Sequence, residues 1–190
     1  MHESNFGMTK HTIDALDISN NDSILELGHG NCRHLPEILN RATNISYYGL
    51  EISELMQAQA MLINKAAVAN HKAFFQLYNG DTIPFPSNSF DKILTVNSIY
   101  FWKNPIELLK QLHGLLKPNG LLAIGFADKT FMETLPFTPY GFELYNRELM
   151  EALANNAGFN LLSISEHRET IKSKAGEEVN RLFYVATLSK

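Results

Sequence analysis

Two periods of apolar residues alternate along this chain. Short runs of mostly apolar residues, about Ser23–Leu27, Ile45–Leu50, Ala73–Tyr78, Lys92–Val96 and Leu121–Phe126, have the length and side chains of strands buried on both faces. Between them the apolar positions fall at helical spacing. Leu35, Ile38 and Leu39 mark a helix from about Arg33, with Pro36 tolerated in its first turn. Leu55, Met56, Ala60, Leu62 and Ile63 mark a long helix that Ser53 caps, Glu54 opens and about Ala69 ends. Leu108, Leu109, Leu112 and Leu115 form the stripe of a helix from Pro105 to Leu116. Ile13, Leu16 and Ile18 predict a short leading helix over Met8–Ile18, packed on the sheet edge. Breakers separate the elements: Asn20-Asn21-Asp22, Lys117-Pro118-Asn119-Gly120, and Pro84 with Pro86, which hold Asp81–Asn88 as a loop.

Apolar strands alternating with amphipathic helices imply a parallel sheet covered on both faces. After Phe126 the rhythm changes. A segment rich in aromatics, Lys129–Tyr145, precedes a helix over Arg147–Ala157 that Gly158 caps. Two strands follow, Leu161–Glu169 and Asn180–Thr187, joined by the polar turn Lys172–Glu178 with no helix between them, so they pair antiparallel.

The chain has 190 residues, 45% of them apolar, which suits one domain over 1–190 and gives no sign of a membrane span. A net charge of −4 without a run of Lys or Arg argues against a nucleic-acid partner and favours a small-molecule substrate. Met1–Met8 lacks the basic and apolar blocks of a signal peptide, and the single cysteine, Cys32, forms no intrachain disulfide; both fit a reducing cytoplasm. Seven histidines without metal-ligand spacing predict no metal site.

The chemistry gathers at Ser23–Cys32. A strand ends in Glu26, and Gly28 and Gly30 follow in a turn before a helix, where backbone amides can approach a nucleotide-type ligand. An acid then stands after each of the next two strands, Glu51 and Asp81. A nicotinamide-dependent oxidoreductase would ask for a third glycine at position 33, where Arg33 stands, and Glu26 would repel its pyrophosphate.

The motifs Glu26-Leu-Gly-His-Gly-Asn-Cys32, Glu51, Asn79-Gly-Asp81, Pro84–Asp91 and Leu116-Lys-Pro-Asn-Gly-Leu-Leu122 resemble, in order, those of class I S-adenosylmethionine-dependent methyltransferases, and within them a small ubiquinone-biosynthesis-like subgroup. The resemblance implies an α/β fold with a Rossmann-like seven-stranded sheet, order 3-2-1-4-5-7-6, last strand antiparallel and helices on both faces. It implies S-adenosyl-L-methionine as cofactor. Glu26 then attracts the ammonium of the methionine moiety, and His29, exposed by the turn, approaches its carboxylate. Glu51, with Ile52, accepts from the ribose diol. Asp81, with Gly80 and Thr82, meets the adenine. Asn97 and Ser98 lie near the reacting methyl group, and Trp102, in the aromatic run Tyr100–Trp102, faces the cofactor. Cys32 replaces a family glycine and reads as a packing residue.

Methyl transfer from a sulfonium requires alignment and desolvation more than a base. Where a base helps, His34, Tyr100, Glu143 and Tyr145 are candidates. Lys129–Tyr145 is the expected substrate-side segment, because only about twenty residues precede the first strand to supply a covering cap. Two other readings stand beside this one: a non-catalytic cofactor-binding subunit, and an amine or nucleic-acid methyltransferase, whose Asn-Pro-Pro-Tyr is only faintly echoed by Asn97–Tyr100.

Overall fold

The computed structural model describes residues 2–172 and 178–190. Its strands are β1 (Ser23–Leu27), β2 (Ser46–Glu51), β3 (Ala73–Leu77), β4 (Phe90–Val96), β5 (Leu116–Ala127), β6 (Asn160–Lys172) and β7 (Glu178–Ser189). They form one seven-stranded sheet in the order β3-β2-β1-β4-β5-β7-β6, with β7 antiparallel to both of its neighbours. This is the Rossmann-like order implied by the methyltransferase resemblance. The helices are α1 (His2–Asp14), α2 (Leu35–Leu39), α3 (Glu54–Ile63), α4 (Lys65–Ala69), α5 (Pro105–Leu115), α6 (Lys129–Glu133) and α7 (Arg147–Asn156).

Successive strand residues supply opposite cores, which is why the runs read as continuously apolar. Ile24 and Tyr47 join Ile13, Leu16, Leu35, Ile38 and Ala60 on one face. Leu25 and Leu50 join Leu108, Leu109, Leu112, Met150 and Leu153 on the other.

Four expectations need correction. The leading helix starts at His2 rather than Met8, and it packs on β4, β5 and β7 rather than at the sheet edge. Gly125 makes that approach possible, since a Cβ there would stand 2.3 Å from Thr12 Oγ1. The long helix after Ser53 breaks in two at the buried Asn64, whose Nδ2 donates to the carbonyls of Cys32 and Ala60, each at 3.0 Å. Of that helix's apolar residues only Ala60 is buried; Leu55, Leu62 and Ile63 are exposed. Finally, β5 begins at Leu116, opposite Phe90, and residues 117–120 bulge out before pairing resumes between Leu121 and Lys92. Ser53 does cap α3, accepting from the Met56 amide at 3.4 Å. The polar turn expected at Lys172–Glu178 falls on residues 173–177, which lie outside the described residues.

Candidate functional site

β1 delivers Glu26 and the glycine turn to the carboxyl end of the sheet. Gly28 holds φ at +70° and donates its amide to Leu50 O at 2.8 Å; a Cβ there would lie 3.1 Å from that of Ser98. Gly30 holds φ at +56°, and no heavy atom lies within 4 Å of the position its Cβ would take, so open space borders the turn. Both positions need the left-handed backbone that glycine adopts without strain.

Glu51, at the end of β2, closes this turn. Its Oε2 accepts from the Gly30 amide at 2.9 Å, and Oε1 accepts from the amides of Ile52 and Ser53 at 2.9 and 3.1 Å. Ile52 is 63% exposed and its Cγ2 stands 3.6 Å from the Cβ position of Gly80, leaving an apolar ledge beside the next strand end. There Asn79 Oδ1 accepts from the amides of Asp81 and Thr82, and Gln111 clamps the same segment through Asp81 O and the Ile83 amide. Asp81 and Thr82 are exposed, and Asp81 pairs with Lys103 at 3.3 Å. Tyr78 was not read from the sequence as a site residue. Burial, with the carboxylates of Glu51 and Asp81 beside it, pushes its hydroxyl up to about 12, which places it within reach of both acids' fields.

Glu26 is buried at the foot of the turn. Its Oε2 accepts from Tyr47 Oη at 2.6 Å and pairs with His34 Nε2 at 2.8 Å, and Tyr47 Oη lies 3.2 Å from Cys32 Sγ. Burial opposes the charged form of each partner, yet the pairing outweighs it: the Glu26 carboxyl is held below its ordinary range and the His34 imidazole well above its own. Cys32 holds φ at +49°, the conformation that suits the family's glycine there, and burial raises its thiol pKa, which leaves it inert. Glu26, Cys32 and His34 thus bring three ligand-type atoms within 4.8 Å of one another, a convergence that sequence spacing did not suggest; Glu26 and His34 stand at the 2.8 Å of a hydrogen bond.

Three further expectations change. His29 is buried rather than exposed by the turn, because Gly49 leaves room for its ring: a Cβ there would lie 2.6 Å from His29 Cδ2. Nδ1 donates to Gly30 O at 2.7 Å, Nε2 has no partner among the described residues, and burial lowers the ring's pKa, keeping it neutral. Tyr100 is a brace and not a poised base. Its buried hydroxyl accepts from the Ala127 amide at 2.5 Å and donates to Asn97 Oδ1 at 3.0 Å, and burial drives its pKa upward. Trp102 lies in the core with Ile99, Leu108 and Tyr145, 7% exposed, where the sequence reading expects it open to a ligand. Replacing Trp102 by Phe is accordingly expected to cost about 1–3 kcal/mol of stability and to leave cofactor affinity unchanged, measured by urea unfolding and calorimetric titration.

Asn97 holds φ at +55°, and Ser98 Oγ bonds to Thr95 Oγ1, which itself donates to Leu27 O at 2.9 Å. Glu143 and Tyr145 line a groove of about 720 Å³ between α5 and α7, which none of the residues of the glycine turn borders. The segment 129–145 is compact: Asp128 caps α6 by accepting from the Thr130 amide, and Thr138 Oγ1 donates to the carbonyls of Met132 and Leu135. The Glu143 amide donates to Tyr100 O, and Phe142 meets Phe101 edge-on at 4.6 Å between ring centroids, with Phe137 5.6 Å away. An aromatic wall therefore joins the end of β4 to the segment after β5.

A family model described as a methyltransferase domain matches residues 25–124, which covers the glycine turn and all three strand-end acids. The chain belongs to the S-adenosylmethionine-dependent methyltransferases. It is 31% identical over 126 residues to the uncharacterized methyltransferase YdaC of Bacillus subtilis, a match covering 65% of this chain and 66% of that one. It is 24% identical over 151 residues to the ubiquinone/menaquinone biosynthesis C-methyltransferase UbiE of Citrobacter koseri, covering 77% of this chain and 59% of that one. The chain thus spans less than two thirds of the length of either relative. In fold it is similar to a structure from the complex between the Haloferax volcanii Trm112 methyltransferase activator and a methyltransferase, with TM-score 0.84, 15% identity and coverage of 100% and 92%. Methyltransferases of this family use S-adenosyl-L-methionine, and among the described residues no helix is long and apolar enough to cross a membrane.

Proposed function

We propose that this methyltransferase acts on a small, largely apolar acceptor. The observation that carries this reading is the aromatic wall of Phe101, Phe137 and Phe142, tied to the glycine turn through Ser98, whose carbonyl accepts from the Phe101 amide and whose Cβ stands 3.1 Å from the Cβ position of Gly28. When bound, S-adenosyl-L-methionine supplies a sulfonium-bound methyl group for in-line displacement. The chain's residues fit that cofactor: the open space at Gly30 admits a ligand against the backbone, and both hydrogen bonds to Glu26 fall on Oε2, leaving Oε1 to accept from an ammonium. Glu51 is fixed by three backbone amides, so it is preorganised to accept from ribose hydroxyls. Ile52 and the Gly80–Thr82 turn offer an apolar ledge and Asp81 an acceptor for the adenine.

Tyr100 and His34 are committed to other hydrogen bonds, which supports a transfer that uses no dedicated protein base. The acceptor then presents a nucleophile that is already deprotonated or carries its own lone pair. Phe101, 54% exposed, is the most accessible residue of the wall described above. Phe101→Ser is expected to raise the acceptor KM about 10-fold while the cofactor Kd stays unchanged. The test is calorimetric titration of the cofactor and its demethylated product, followed by methyl transfer to a panel of apolar and polar acceptors. Binding of a nicotinamide cofactor with no response to S-adenosyl-L-methionine would sink the reading. A second reading, turnover only with a protein partner, is favoured by the likeness to the methyltransferase of the Trm112 complex; binding without turnover by the isolated chain would select it.

A further inference from the structure

The sheet ends at β3, and the surface there is unusually apolar. Leu62 is 74% exposed, Leu55 63% and Phe74 41%, and Met61, Ile63 and Leu77 are exposed with them. Edge strands are normally blunted by a charge, a proline or a bulge. Ala73-Phe74-Phe75-Gln76-Leu77 contains none of these.

The hydrogen-bond parity of β3 shows what its edge offers. Tyr47 N donates to Lys72 O and Tyr78 N donates to Glu51 O. In a parallel ladder these bonds assign the even-numbered residues from 72 to 78 to β2. The amides and carbonyls of Ala73, Phe75 and Leu77 therefore point away from the sheet. One of them is guarded: Gln57 Nε2 donates to Phe75 O at 3.2 Å.

We propose that two copies of this chain pair through β3, antiparallel about a two-fold axis at Phe75, to form one continuous sheet. In that register Phe75 faces its counterpart, Ala73 faces Leu77 and Leu77 faces Ala73. Every outward amide of these residues then meets an outward carbonyl, once Gln57 yields or shares Phe75 O. Lys72 falls opposite Tyr78, and His71 falls opposite Asn79, so no like charges meet across the strands.

The helices support the same axis. A two-fold perpendicular to the sheet carries α3 of both copies to one face. Because α3 packs on β3 and β2 at the edge, a strand spacing of ~4.8 Å sets the two α3 axes ~10 Å apart, the distance of packed helices. Leu55, Met61, Leu62 and Ile63 of each copy then have an apolar surface to bury against. A foreign strand added to β3 would satisfy the backbone and leave those side chains in water, which is why the second copy is the occupant that fits.

Sedimentation equilibrium of the full chain from ~1 to ~100 µM tests this. The expected result is a concentration-dependent dimer. Leu62→Glu and, separately, Leu77→Pro are expected to weaken it at least about 10-fold, since each change enters the interface twice. Leu77 uses no amide toward β2, so Leu77→Pro leaves the protomer's own ladder intact; circular dichroism melting confirms that each variant folds. Gln57→Ala, which unmasks Phe75 O, is expected to dimerise at least as tightly as the parent. A parent chain that stays monomeric throughout, or a dimer that both folded variants retain undiminished, overturns the proposal. A monomer that instead captures a different protein at β3 overturns it as well.

Discussion

Replacing Glu51 by Ala is expected to weaken binding of S-adenosyl-L-methionine by about 10- to 100-fold, the size of one or two hydrogen bonds to a charged group. Two effects act together. The carboxylate proposed to accept from the ribose hydroxyls is lost, and the amides of Gly30, Ile52 and Ser53 lose the acceptor that fixes the turn. Glu51→Gln separates them. Its amide oxygen can still accept from part of that set while the charge is gone, so an intermediate affinity assigns part of the effect to turn geometry. Calorimetric titration with the cofactor and its demethylated product measures both variants. Wild-type affinity in Glu51→Ala would remove Glu51 from the binding site.

Why Glu51 could be singled out at all lies in the physics of strand ends. A carboxylate that closes a buried apolar run must leave the sheet at its carboxyl edge, where the parallel topology also delivers Glu26 and Asp81. Glycines with positive φ mark the turn for the same reason, since few other residues take that backbone without strain. What the chain order does not display is lateral contact. Tyr47 reaches Glu26 across 21 residues only because β1 and β2 pair in the register Glu26 opposite Gly49. The missing Cβ of Gly49 sinks His29 into the protein, and that of Gly125 draws α1 onto the central strands.

The exposed face of α3 has a different cause. Helical spacing of apolar residues marks a face to be buried, and in α5 it did so correctly for Leu108, Leu109, Leu112 and Leu115. In α3 the same spacing predicts a helix, but Leu55, Leu62 and Ile63 on it are exposed. Because α3 covers the last strand of the sheet, part of its circumference has no further strand of the same chain to pack against. Periodicity reports that a surface is apolar, and position in the sheet decides whether one chain can cover it. Tyr100 and Trp102 illustrate the complementary case: aromatics beside a site were read as facing it, and the core claimed both.

The largest loss of stability is expected from His34→Leu, about 3–5 kcal/mol, or on the order of 10 °C in melting temperature for a chain of this size. The substitution strands the buried Glu26 carboxylate with Tyr47 as its only hydrogen-bond partner among the described residues. The pair also sets a pH window. His34 titrates above its ordinary 6.5 in the folded chain, so its stabilisation is complete below 6.5 and is lost as pH rises through the raised folded value. Glu26 titrates below its ordinary 4.5, so its stabilisation is complete above 4.5 and is lost as pH falls through the lowered folded value. The contribution of the pair is therefore greatest between 4.5 and 6.5 and declines on both sides. Urea unfolding across that range and above it should show His34→Leu losing the most at the plateau and less at high pH, where neutral His34 keeps only an uncharged hydrogen bond to Glu26. His34→Gln, which can donate to Glu26 without a charge, should recover part of the loss and remove the alkaline slope. A constant difference between parent and His34→Leu from acid to alkaline pH would mean that packing, and not the ion pair, is what His34 contributes.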